Sequence, residues 1–158
     1  MSNLRPDGTL ELSSEELRAT FEFQVVYYTI RNSTAKEKTM DKVNLAQKFD
    51  LFQEYWSPKI VGELNDSYVK LAKLKGEFVW HHHDTEDELF LVVKGRLLIK
   101  LRDQDILLEE GEFVIIPRGV DHLPIAEEEA HVLLLEPKTT LNTGNTQNER
   151  TVIDLEHI

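Results

Sequence analysis

VWHHHDTEDELF, residues 79 to 90, places three histidines and four acids within eight positions. It reads as the end of one strand, a short turn and the start of the next. Side chains along an extended strand alternate between two faces. His81 and His83 therefore share a face, and His82 takes the other. Two imidazoles at neighbouring positions on one face can bind a single ion. Past the turn, Glu88, Phe90 and Val92 share one face, and Asp87, Leu89 and Leu91 share the other. Both sets are rich in apolar residues, so alternation alone does not choose which of them points inward.

The same β pattern continues on either side. From Val61 the chain runs through SYVKLAKLKG, EFVWHHH, ELFLVVKG, RLLIKLRDQD, ILLEEG, EFVIIPRG, DHLPIA and HVLLLEP. Gly76, Gly95, Gly111, Gly119 and the acids Glu127 to Glu129 punctuate these segments. Short strands at regular spacing with turn signals predict an antiparallel sandwich or barrel. LFLVV and FVIIP are apolar on both alternating faces, whereas a sheet with one face in water would alternate. Both faces are thus expected to be covered, the outer one by an N-terminal strand, by a second subunit or by both.

The chain has 158 residues, which suggests one domain with room for an extension. Residues 1–40 read as that extension. Ser13 to Glu16 form a capping box for a short helix, and Phe21 to Ile30, aromatic and β-branched, read as an extra strand. Residues 41–60 read as a helical lead-in, with Asn44 as a possible N-cap and Leu45, Phe49 and Phe52 at helical spacing. Residues 61–138 form the β domain, and 139–158 a polar tail ending in a β-prone RTVIDL. The net charge of −11 argues against a nucleic-acid partner, because nothing would neutralise phosphates. There is no cysteine, so any metal must be held by histidine and carboxylate. No apolar run approaches a membrane span of roughly 20 residues, and the start lacks the layout of a signal peptide. A cytoplasmic protein is expected.

Two spacings resemble a known family. His81-x-His83-x4-Glu88-x6-Gly95 resembles the first motif of the cupin superfamily, and Gly111-x5-Pro117-x-Gly119-x2-His122 resembles the second. The resemblance covers about Asn65 to Pro137, and the short stretch between motifs is that of small single-domain cupins. It departs from the family at Ala126, where an asparagine often stands. That residue is not a metal ligand in the family, but its loss weakens any borrowed claim about a particular reaction. The resemblance implies an all-β fold, a cupin jelly-roll barrel or sandwich of antiparallel strands. It also implies one metal site made of His81, His83, Glu88 and His122.

The chemistry of that set agrees. Imidazole and carboxylate suit divalent Mn, Fe, Co, Ni, Cu or Zn without choosing among them. Four protein ligands on an octahedral ion leave roughly two positions open. Such a site fits a small substrate with two oxygen donors, such as a hydroxy acid, diketone, catechol or sugar. Blander readings stand beside it. Adjacent histidines can be ordinary core side chains, and some cupins hold no metal. His82 reads as an outward strand residue, Asp84 and Asp87 as solvated turn acids, Glu86 as a substitute ligand at most, and Glu127 to Glu129 as an exposed turn. Phe90 stands beside Glu88 as a substrate-pocket candidate. Arg118 could bind an anionic substrate or be a solvated turn arginine. Trp80 shares parity with Phe78 and His82, opposite His81, which makes it outer packing. The expected activity is metal-dependent, oxygenase-like or isomerase-like, on a small oxygen-rich metabolite. The alternative is a ligand-binding or sensing module without turnover. A homodimer is expected from the apolar outer faces.

Overall fold

The computed structural model describes Arg18 and residues 40–158. Backbone contacts divide the chain into two units, Met1–Lys42 and Val43–Ile158. The strands among the described residues all lie in the second unit. The helix expected at Ser13 to Glu16 and the strand expected at Phe21 to Ile30 fall outside the described residues.

The second unit opens with a short helix, α1 (Leu45–Phe49). Asn44 caps it: its side chain accepts a hydrogen bond from the Gln47 N–H at 3.1 Å, satisfying one of the free donors of the first turn. Phe49 and Phe52 are buried with Leu71, and Val61, Val93, Leu133 and Ile158 pack around them. The lead-in and the chain's last residue thus cover part of the outer sheet face, where the sequence had suggested the N-terminal strand or a second subunit.

Seven strands follow: β1 (Lys59–Leu64), β2 (Ser67–Glu77), β3 (Glu88–Lys94), β4 (Leu97–Leu101), β5 (Asp105–Leu108), β6 (Phe113–Ile116) and β7 (His122–Pro137). All pairings are antiparallel. The main order is β1-β2-β7-β3-β6, and a β4–β5 pair branches from β7. The all-β expectation holds. The ladder does not close on itself, so the architecture is a jelly-roll sandwich and not a sealed barrel. Leu97 and Ile99 of β4 and Leu108 of β5 face Ala72, Phe90, Val92 and Val132 across the core. Gly95 makes the tight β3–β4 turn at φ +84°, and a Cβ there would stand 2.9 Å from the Glu129 carbonyl oxygen.

β7 is the main departure from the expected layout. DHLPIA and HVLLLEP were expected on either side of an exposed turn at Glu127 to Glu129, yet His122 to Pro137 is one continuous strand. β2 runs beside it for nearly its whole length, and a register shift between Leu74 and Gly76 absorbs the glutamates as a bulge. On its other edge, β7 pairs with β4 through His122 to Ile125 and with β3 through His131 to Leu135. One strand therefore serves both halves of the sandwich.

Candidate metal centre

His81 and His83 lie in the segment after β2, which leaves the sheet at Glu77. Residues 78–87 are irregular apart from a single bridge, His81 to His122. EFVWHHH is therefore not a strand. Its two-residue alternation survives near the histidines because the His81 N–H donates to the His122 carbonyl and the His122 N–H donates back, at 3.1 and 2.9 Å. Glu88 opens β3, and His122 opens β7.

The four side chains converge. His81, His83, Glu88 and His122 are buried, and each offers one donor atom within 4.8 Å of the others. Glu88 Oε2 lies 3.1 Å from His83 Nε2 and 3.3 Å from His122 Nε2. His81 Nδ1 and His122 Nδ1 each lie 3.0 Å from a backbone carbonyl two residues back, those of Val79 and Val120. A carbonyl only accepts, so both Nδ1 atoms carry the proton and both Nε2 atoms present lone pairs to the centre. Burial, with the neighbouring His122 adding to it, pushes His81 down to about 4 and keeps it neutral. Burial would raise Glu88, but the imidazoles of His122 and His83 beside it hold it below its ordinary value. Burial works against protonation of His83, and Glu88 outweighs it and raises the group.

His122 Nε2 is buried with no hydrogen-bond partner. A lone pair facing a carboxylate oxygen at 3.3 Å is a poor arrangement for a buried atom unless something positive lies between them. The donor set therefore fits a divalent ion: inward-facing Nε2 atoms of His81 and His122, the latter buried and unpartnered, with His83 Nε2 beside an ionised carboxylate.

His82 shows the contrast. It points away, with Nδ1 2.8 Å from Asp121 Oδ1 and Nε2 3.1 Å from Asp84 Oδ1. The Asp121 hydrogen bond raises it, the opposite direction to His81 next door. Asp121 in turn accepts from Arg102, whose guanidinium lies 3.8 Å over the Trp80 ring. Trp80 is thus on the outside, as alternation implied. Phe78 is not: it stacks on Trp56 at 4.8 Å and meets His81 edge-on. Parity failed there because the strand ends at Glu77.

A small cavity of about 30 Å³ adjoins the centre, lined by His81, Glu88 and Phe90 together with Trp56, Phe78 and Glu136 among others. Arg118 is not among its lining residues. Its side chain is 65% exposed with Nε 3.7 Å from Asp87 Oδ1. The polar tail also reaches the site. Asn145 and His82 exchange hydrogen bonds, His82 N–H to Asn145 Oδ1 at 3.1 Å and Asn145 N–H to the His82 carbonyl at 2.9 Å. Gly144 sits at φ +51° against this segment, and a Cβ there would overlap the His82 carbonyl and press on the His81 ring.

Sequence reasoning did not find Glu136 or Lys70. They form a buried ion pair, Lys70 Nζ to Glu136 Oε1 at 2.7 Å, with side chains 0% and 1% exposed. Burial first, and then the charge of Glu88, pushes Glu136 up to about 7 against the pull of Lys70. The signal in sequence was a lysine at the same parity as Ala72 and Leu74. Lys73 at the opposite parity obscured it.

The comparisons with known proteins agree with this geometry. The Cupin domain family matches residues 67–136. A crystal structure of a cupin-2 domain containing protein from Shewanella frigidimarina is 48% identical with a TM-score of 0.60, covering 61% of this chain and 94% of that one. The chain is a cupin. A structure from Neisseria meningitidis is 29% identical at a TM-score of 0.58, over 62% of this cupin and the whole of that chain. Two curated proteins of Bacillus subtilis also match. The uncharacterised YdbB is 43% identical over 63 residues, 39% of this cupin and 56% of that protein. An acireductone dioxygenase is 29% identical over 75 residues, 44% of this cupin and 42% of the enzyme. The cupin spans about half the length of the curated relatives it matches. No helix among the described residues is long and apolar enough to cross a membrane.

Proposed function

We propose that this cupin is a metal-dependent enzyme acting on a small oxygen-rich metabolite, in dioxygenase-like or isomerase-like chemistry. His81, His83, Glu88 and His122 hold one divalent transition metal (Mn, Fe, Ni, Co, Cu or Zn). The observation that carries this reading is the buried, unpartnered Nε2 of His122 facing Glu88. The distant likeness to an acireductone dioxygenase supports it. When bound, such an ion supplies Lewis acidity and, if redox-active, oxygen chemistry. The chain itself fixes the ring tautomers through Val79 and Val120, keeps His81 neutral by burial, and encloses the reacting end of the substrate with Phe90, Trp56 and Phe78. The protein works in the cytoplasm as a homodimer, without nucleic acid or membrane as partners.

Protein purified without a nickel column should carry about one transition metal per chain by elemental analysis. His83→Ala and His122→Ala should lose most of it while keeping the β signature in circular dichroism. Metal-free protein from metal-replete growth would sink the proposal. Oxygen uptake across diketones, catechols and thiols then separates oxygenase from Lewis-acid chemistry. Tight binding of a small molecule with no conversion would favour a sensor.

A further inference from the structure

Three charged side chains cross the inner face of the sheet on adjacent strands: Lys70 on β2, Glu136 on β7 and Glu88 on β3. The register runs Lys70 to Leu134 and Leu89 to Leu135, which sets Glu136 beside both. All three are buried. Glu88 Oε2 is hydrogen-bonded by His83, and Glu136 Oε1 by Lys70 at 2.7 Å. Glu136 Oε2 is buried and has no hydrogen-bond partner. Glu136 lines the same cavity as Glu88 and His81, among Trp56, Phe78, Phe90 and Leu134.

A fold does not in general require such a pair. Apolar residues of similar volume in place of a buried ion pair are often neutral or stabilising. An ion pair kept at a cavity wall, with one carboxylate oxygen left free, suits ligand recognition. We propose that Glu136, fixed by Lys70, is a specificity-determining residue whose Oε2 accepts a hydrogen bond from the hydroxyl of a small uncharged α-hydroxycarbonyl compound. The carbonyl oxygen of that compound is directed to the four-residue centre, so this inference rests on the metal-site reading above. Three features select the class. A carboxylate oxygen calls for a donor, which the hydroxyl provides. Two carboxylates, Glu88 and Glu136, disfavour an acid in the same cavity. Apolar walls and about 30 Å³ of space admit the reacting end of a small molecule and not a hydrated polyol.

The test compares hydroxyacetone with methoxyacetone, which keeps both oxygens but lacks the donated hydrogen. Each is titrated at pH 8, where the Glu136 carboxylate is ionised, into cobalt(II)-loaded protein and followed by the visible cobalt spectrum. Wild-type protein should bind hydroxyacetone at least tenfold more tightly. In Lys70→Met/Glu136→Leu, which removes both charges together, cobalt content should persist and the preference should fall to about twofold or less. Equal binding of the two ketones by wild-type protein overturns the inference without need of any variant. So does an undiminished preference in the double variant. Wild-type protein that retains no cobalt overturns the metal reading, and this inference with it, which distinguishes the two failures.

Discussion

His81 and His122 solve the same problem in the same way. Each donates a hydrogen bond from its Nδ1–H to a carbonyl two residues back, so backbone and not side-chain chemistry sets the tautomer. The positions of the four-residue cluster were legible because a motif spacing names residues directly and tolerates an error in secondary structure. The walls were not. Phe78 and Trp56 depend on where the chain leaves the sheet, and Glu136 on which parity of β7 faces in. Glu136 also has a thermodynamic consequence. Its folded-state value is raised from 4.5 to about 7, so the folded protein binds the extra proton. The stability this contributes is complete below about 4.5 and is lost as pH rises through 7. Lys70→Met/Glu136→Leu lacks that loss. Urea denaturation of metal-free protein at pH 4.5 and 7 should show the variant gaining on wild type as pH rises, by up to about 3 kcal/mol. An unchanged difference would mean that Glu136 titrates normally.

The strands read well from sequence, and the joints between them read poorly. β3, β4 and β6 fall where alternation and turn glycines place them, and Asn44 caps α1 as its position suggests. The glutamates 127 to 129 mimic a turn, because a bulge and a turn both expose consecutive polar residues. Only pairing with β2 shows that the strand continues. The tail gave no warning of its role, since its hold on the histidine segment is two hydrogen bonds to the His82 backbone and one glycine fit, which leave no periodic pattern. Gly144→Ala tests that fit. An alanine at positive φ, pressed against a backbone carbonyl, should cost about 2 kcal/mol. Calorimetry should show a melting temperature lower by roughly 4–10 °C, and a protease should cut the tail sooner. A wild-type melting curve would show that the tail is not bound to the histidine segment.

At the scale of the molecule, short strands with regular turn signals led to an all-β domain, and two-faced strand hydrophobicity led to a covered outer surface. Part of that cover is internal, from Phe49, Phe52 and Ile158. Part of the surface stays open: Phe113 and Ile115 on edge strand β6 are 60% and 52% exposed on one face. Closure into a barrel could not be read, because hydrogen bonding between distant strands leaves no local pattern. A homodimer buries such a surface. Light scattering should give twice the chain mass for wild type, and one chain mass for Phe113→Lys/Ile115→Lys with unchanged circular dichroism. A monomeric wild type would rule the dimer out.

The length of β7 bears on how the protein survives over time. Sixteen residues of straight strand would reach roughly 50 Å, yet His122 near one end and Glu136 near the other both stand beside Glu88. The centre is therefore where the strand's two ends meet after the bulge, a closure between residues far apart in sequence. An ion bound there clamps a long loop that the folding transition state need not have closed. Its expected effect is to slow unfolding while leaving the refolding rate nearly unchanged, so that occupancy governs lifetime more than the ease of folding.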